Sequence, residues 1–182
     1  DEIAVRALNL TNWGDVLSVE RHDPLAMPIL EQALALALQA QKPHVAMIAA
    51  AALASAHLGA GRLRALHRVC LEALAIAEDY QKHYQRPLSA AASVYPLLAR
   101  VLAEWGENEN AVQLARKALL LSERWGQYDN DVISLDYLGR ILAFGNDWEQ
   151  ARQVFQRADS GAQKMSPWLW QMTAIFTLDS RA

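Results

Sequence analysis

Four polar or charged side chains recur along this chain at one period: Asp15, Ser55, Arg100 and Arg140 are separated by 40, 45 and 40 residues. Two are arginines, whose planar guanidinium forks match the paired oxygens of a carboxylate or a phosphate. Asp136 stands one helical turn before Arg140, Thr11 one turn before Asp15, and Ser93 two turns before Arg100. Presented on one surface, such a row would hold a carboxylate, a phosphate or an acidic peptide by forked hydrogen bonds. The competing reading is that Asp136 and Arg140 form a solvated i,i+4 pair worth about 0.2–0.5 kcal/mol, with Arg100 keeping the face wet. No nucleophile–base pair, acid–base pair or metal cluster can be placed, so a non-catalytic protein is expected.

The remaining reactive residue types point the same way. His22, His44, His57, His67 and His83 contain no i,i+4 pair and no carboxylate at ligand spacing, so neither metal nor cofactor is expected. Cys70 is the only cysteine. It rules out an internal disulfide and falls in an apolar column, where it reads as a small filler. The six tryptophans could stack on sugars, but their positions suggest packing: Trp13 on a buried stripe, Trp105, Trp125 and Trp148 at turns and hairpin ends, Trp168 and Trp170 in a final helix.

Composition narrows the partners. With 17 basic and 20 acidic side chains the net charge is −3, too small and of the wrong sign to attract phosphate backbones or anionic lipid. The 182 residues are 53% hydrophobic, ample for a core. The alanine-rich run from Ala46 to Ala60 is interrupted by Ser55 and His57, and is too weakly apolar to span a bilayer. A soluble, cytoplasmic protein is expected. The chain begins at Asp1 and stops at Ala182 inside an apolar helical pattern, which suggests a fragment of something longer.

The elements that must position the polar row follow from the same period. Ala26, Leu66, Ala111 and Ala151 open the second helix of four hairpins, and Arg21, Gly61, Gly106 and Asn146 precede them by five residues. Glycine and asparagine accept the left-handed backbone that ends a helix, which makes Arg21 the irregular turn. Gly14, Ala54, Ala99 and Gly139 stand where the paired helices cross, each following a large apolar residue: Trp13, Leu53, Leu98 and Leu138. Second helices repeat the register with Leu30, Cys70, Ala115 and Phe155. Helices are expected at about 3–20, 25–41, 43–59, 62–80, 88–105, 108–125, 128–144, 147–163 and 167–182. Glu78 to Leu88 would be a linker, and Pro96 would kink the fifth helix and free the carbonyl of Ala92. The fold class is all-α: a right-handed superhelix of tetratricopeptide-like antiparallel hairpins, four repeats plus one extra helix, forming one domain over 1–182. First helices line the concave surface, which makes Thr11, Asp15, Ser55, Ser93, Arg100, Asp136 and Arg140 the candidate binding residues, with Ser18 beside them. Trp168, Trp170, Ile175, Phe176 and Leu178 would leave an apolar end suited to self-association.

Particular phrases add a family resemblance. With repeats near 40 residues, Leu98-Ala99-x-x-Leu102, Glu104-Trp105-Gly106, Ala111, Ala118-Leu119, Glu123-Arg124-Trp125-Gly126 and Asp147-Trp148-Glu149-Gln150-Ala151, the chain resembles the helical sensor domain of MalT-like, LuxR-type transcriptional regulators of the STAND ATPase class. The resemblance implies a module between an ATPase and a DNA-binding domain, receiving a small-molecule inducer or a protein partner. The family's phosphate loop and helix-turn-helix are absent from these residues, so no direct nucleic-acid contact by this segment is implied. A scaffold that binds a peptide on its concave face, with no inducer, is the alternative.

Overall fold

The computed structural model describes residues 2–21, 24–126 and 128–162. Eight α-helices follow in order: α1 (Glu2–Arg21), α2 (Ala26–Gln39), α3 (Pro43–Gly59), α4 (Leu63–Tyr84), α5 (Tyr95–Glu104), α6 (Asn108–Trp125), α7 (Tyr128–Phe144) and α8 (Trp148–Ala162), with a 3₁₀ turn (Ser89–Ser93) before α5. Consecutive helices pack as antiparallel hairpins, and α1, α3, α5 and α7 also touch one another in sequence to form an inner layer. The second helices, α2, α4, α6 and α8, lie outside it. The expected ninth helix, with Trp168, Trp170, Ile175, Phe176 and Leu178, lies outside the described residues.

The turns of the last three hairpins close in the same way. Gly61, Gly106 and Asn146 have φ of 67°, 81° and 62°. The next N–H reaches back five residues, Arg62 to the carbonyl of His57, Glu107 to Leu102 and Asp147 to Leu142, at 2.8–2.9 Å. These bonds satisfy carbonyls that a helix end leaves open. Asp147 then caps α8 by accepting from the Gln150 N–H at 3.2 Å. The Gln150 side chain folds onto the same carboxylate at 2.6 Å.

Small residues at the crossings are matched to their partners. A Cβ on Gly14 would lie 2.6 Å from Leu30, and one on Gly139 would lie 2.7 Å from the Phe155 ring. Ala99 and Ala115 share one buried cluster, and Ala54 and Cys70 another. Glycine thus faces a large side chain and alanine a small one, which keeps the summed volume of each crossing nearly constant.

Three sequence expectations are corrected. Helix α4 continues to Tyr84, so the linker from Glu78 shrinks to the few residues after it, turned by Gln85 at φ 53°. The fifth helix is broken rather than kinked: Pro96 sits in the first turn of α5, where its missing N–H costs nothing, because a helix through this point would drive the ring into the carbonyl four residues back. Trp13 is 57% exposed, whereas its equivalents Leu53, Leu98 and Leu138 are buried. In later units the preceding hairpin covers that side; among the described residues only α2 and α3 pack on α1.

Candidate functional site

Asp15, Ser55, Arg100 and Arg140 each lie on an inner helix and each is half-buried. The common period gives them equivalent positions on helices that pack one against the next, α1, α3, α5 and α7. Burial pushes the Asp15 carboxyl above its usual range, and no cation stands within ion-pair distance of it among the described residues.

The arginines are engaged by their own helices. Arg140 forks onto Asp136, Nε to Oδ2 at 2.7 Å and Nη2 to Oδ1 at 3.2 Å, with side-chain exposures of only 20% and 18%. The pair is therefore better shielded than a solvated surface pair. Arg100 donates from Nη2 to Glu104 Oε1 at 2.5 Å and lies 5.4 Å over the Phe144 ring; its Nε is buried without a partner. Between them the Tyr137 hydroxyl is pushed up to about 12, chiefly by burial and further by Asp136, against the pull of both arginines. A ligand carboxylate arriving here would have to compete with two resident ones.

Two candidates have their hydroxyls engaged by the backbone. Thr11 is buried, and its hydroxyl donates to the Ala7 carbonyl one turn back at 2.9 Å. Ser93 is half-buried and donates to the Ala90 carbonyl at 2.7 Å, closing the 3₁₀ turn.

A second column is added by the structure. Leu8, Ile48 and Ile133 are 36%, 42% and 37% exposed, and with Ser93 they stand seven residues before the polar row, one per unit. The signal in the sequence is the same 40-45-40 period. It does not identify the column on its own, because a lone apolar residue on a helix reads as core until burial is known.

His57 is buried, and burial lowers its pKa, with Arg62 and Arg68 adding to the effect. Its Nδ1 has no partner. Cys70 is fully buried and its thiol is pushed up to about 12 by burial, as a packing residue's would be. Trp105, Trp125 and Trp148 fall at helix ends but are 43–65% exposed, so they contribute less packing than expected; Trp105 rests on the His67 ring at 4.9 Å. An open notch of about 360 Å³ is lined by Asn108, Glu109, Val112, Arg116, Ile141 and Asp147 among others, none of them from the polar row. Among the described residues no group of three or more His, Cys, Asp or Glu is placed to hold a metal, and no helix is long and apolar enough to cross a membrane.

Solved structures share this arrangement. BtubC (BKLC) from P. vanneervenii superposes with a TM-score of 0.71 at 18% identity, covering 91% of this chain and 65% of its own. The chain thus spans just under two thirds of that neighbour's length. Two crystal structures described as a Podosopora anserina kinesin light chain with nearly identical TPR-like repeats give TM-scores of 0.59 and 0.55. Both are 16% identical, over 87% and 89% of this chain and 76% and 77% of theirs. The fold is a stack of TPR-like repeats. No family model and no curated protein matches the chain, and none of these three neighbours is a MalT-like regulator.

Proposed function

We propose that this chain is a non-catalytic protein-interaction scaffold that binds an extended peptide along the inner face of α1, α3, α5 and α7. What supports this reading is that equivalent, partly exposed repeat positions recur in all four units, Asp15, Ser55, Arg100 and Arg140 in one column and Leu8, Ile48, Ser93 and Ile133 in the next. Repeats that present the same position at each step offer a linear partner the same contact at each step. The TPR-like fold supports a protein partner, and the single domain over 1–182 and a cytoplasmic setting are part of the same proposal.

Peptide-display selection tests it. Selected sequences should bind the wild-type chain and lose binding to Ala51→Arg/Ser55→Arg, which fills the middle of the face from two half-buried positions on α3. Selected peptides that bind this variant equally well, in a chain whose circular dichroism is unchanged, would place the interaction elsewhere.

The sensor reading, a ligand-receiving module of a MalT-like regulator, rests on the quoted sequence phrases. The notch beside Arg116 has a volume in the range of small-molecule sites, about 300–1,000 Å³. A thermal-shift screen against sugars, small acids and nucleotides separates the two readings: a stabilising hit favours the sensor, silence favours the scaffold.

A further inference from the structure

The inner face carries a chemistry more specific than peptide binding in general. Exposed apolar side chains are ordinary when scattered, but Leu8, Ile48 and Ile133 occupy one repeat position in three of the four units and are 36–42% exposed. They form a broken rail along the inner layer, interrupted by Ser93. Beside the rail, the charges largely cancel: Arg100 is held by Glu104 and Arg140 by Asp136. The carboxylate left over is Asp15 on α1, half-buried and without a cation among the described residues.

We infer that the face takes an extended, apolar segment with large side chains at every third position and a basic residue over Asp15, rather than an acidic peptide. Packed helices lie about 8–10 Å apart. A polyproline-II chain advances about 3.1 Å per residue with three residues per turn, so every third side chain lies on one face and three residues match one helix-to-helix step, whereas the two-residue alternation of a strand falls short at about 6.6 Å. Successive side chains at every third position therefore meet Leu8, Ile48, Ser93 and Ile133 in turn, and the third-unit contact, a serine, sets no apolar requirement. Charge complementarity fixes the end of the ligand at α1, where a lysine or arginine would neutralise Asp15.

This inference rests on the inner-face reading, and its test separates the two. Fluorescein-labelled peptides of about twelve residues, matched in length and in leucine number, space their leucines by two, three or four positions and carry lysine or glutamate at either end. Binding is read by fluorescence anisotropy. The expected result is that a period-three, lysine-bearing peptide binds at least about tenfold more tightly than the others, equivalent to about 1.4 kcal/mol. Ile48→Ser/Ile133→Ser should remove that advantage, and Asp15→Asn should abolish the preference for lysine over glutamate. Tightest binding by glutamate-bearing peptides, weakened by Arg100→Ala/Arg140→Ala, would overturn the apolar chemistry while leaving the inner face as the site. So would binding that is indifferent to leucine spacing yet blocked by Ala51→Arg/Ser55→Arg, or binding there by display-selected peptides alone. Binding that survives both the rail variant and the blocking variant would overturn this inference and the inner-face reading together.

Discussion

The crossing of α7 and α8 offers a test of the register on which every column depends. A Cβ on Gly139 would lie 2.7, 2.8 and 2.9 Å from three atoms of the Phe155 ring. The ring would have to withdraw by about 0.7 Å to reach ordinary contact, an overpacking that costs about 1–3 kcal/mol. Alanine returns about 1 kcal/mol over glycine as a helix former, so Gly139→Ala should destabilise by about 1 kcal/mol net. Phe155 is only half-buried, so Phe155→Ala should cost about 2–3 kcal/mol, less than the roughly 3–5 kcal/mol of a fully buried ring. Together the two substitutions install the Ala–Ala pair that Ala99 and Ala115 already form one unit earlier. The overpacking then vanishes and the helix gain remains, so Gly139→Ala should reverse sign and stabilise the Phe155→Ala background by about 1 kcal/mol. Urea unfolding followed by far-ultraviolet circular dichroism on the four proteins gives the cycle. Equal effects of Gly139→Ala in both backgrounds, within the roughly 0.3–0.5 kcal/mol expected of independent sites, would refute the crossing and the register with it.

Three further outcomes are expected. His57 has a folded-state pKa below its unfolded value because its charged form is buried, with Arg62 and Arg68 adding to the effect and Glu31 partly opposing it. The unfolded chain therefore binds the proton first, and stability should fall as pH drops below about 6.5. His57→Leu, matching Leu17, Leu102 and Leu142 in its column, should flatten that slope and raise stability by about 1 kcal/mol or more by removing the unpartnered nitrogen; an unchanged pH profile of Tm would contradict this. Cys70, buried with its thiol pushed up to about 12, should resist maleimide in the native protein and react only as the chain unfolds, and rapid native labelling would contradict its placement. Arg140→Ala should cost about 1 kcal/mol, more than an exposed pair, because it leaves the shielded Asp136 carboxylate without its fork. Denaturation at high salt should weaken that effect only slightly if the pair is as sheltered as its geometry indicates.

The repeat architecture was legible because it depends on columns rather than on single residues. Gly61, Gly106 and Asn146 announce their turns through a backbone requirement that few residues meet, and Pro43 marks the start of α3 by lacking the donor a first turn does not need. The fifth helix differs from its expectation for a related reason: periodicity carries the expected helix through Ser89–Ser93, and the steric demand of Pro96 outweighs it. Burial at the ends of the stack was not legible. Trp13 shares its column with three buried leucines, and only the absence of a covering helix on that side, among the described residues, leaves it exposed.

What the amino-acid sequence by itself determined is the hairpin, its period and the size of the side chain at each crossing, because these follow from local backbone limits and from volume matching between paired helices. What only the tertiary structure decided is the character of the inner face. Arg100 and Arg140 were compatible with a waiting ligand until Glu104 and Asp136 were seen to hold them. Thr11 was compatible with the groove until α1 was seen to turn it inward. Leu8, Ile48 and Ile133 were compatible with a core until stacking left them uncovered. For the arginines the partner lies on the same helix, and the i,i+4 spacing permits the pair without requiring it; for Thr11, Leu8, Ile48 and Ile133 the choice is made by which neighbouring helix covers the side chain, a relation between units that no single helix encodes.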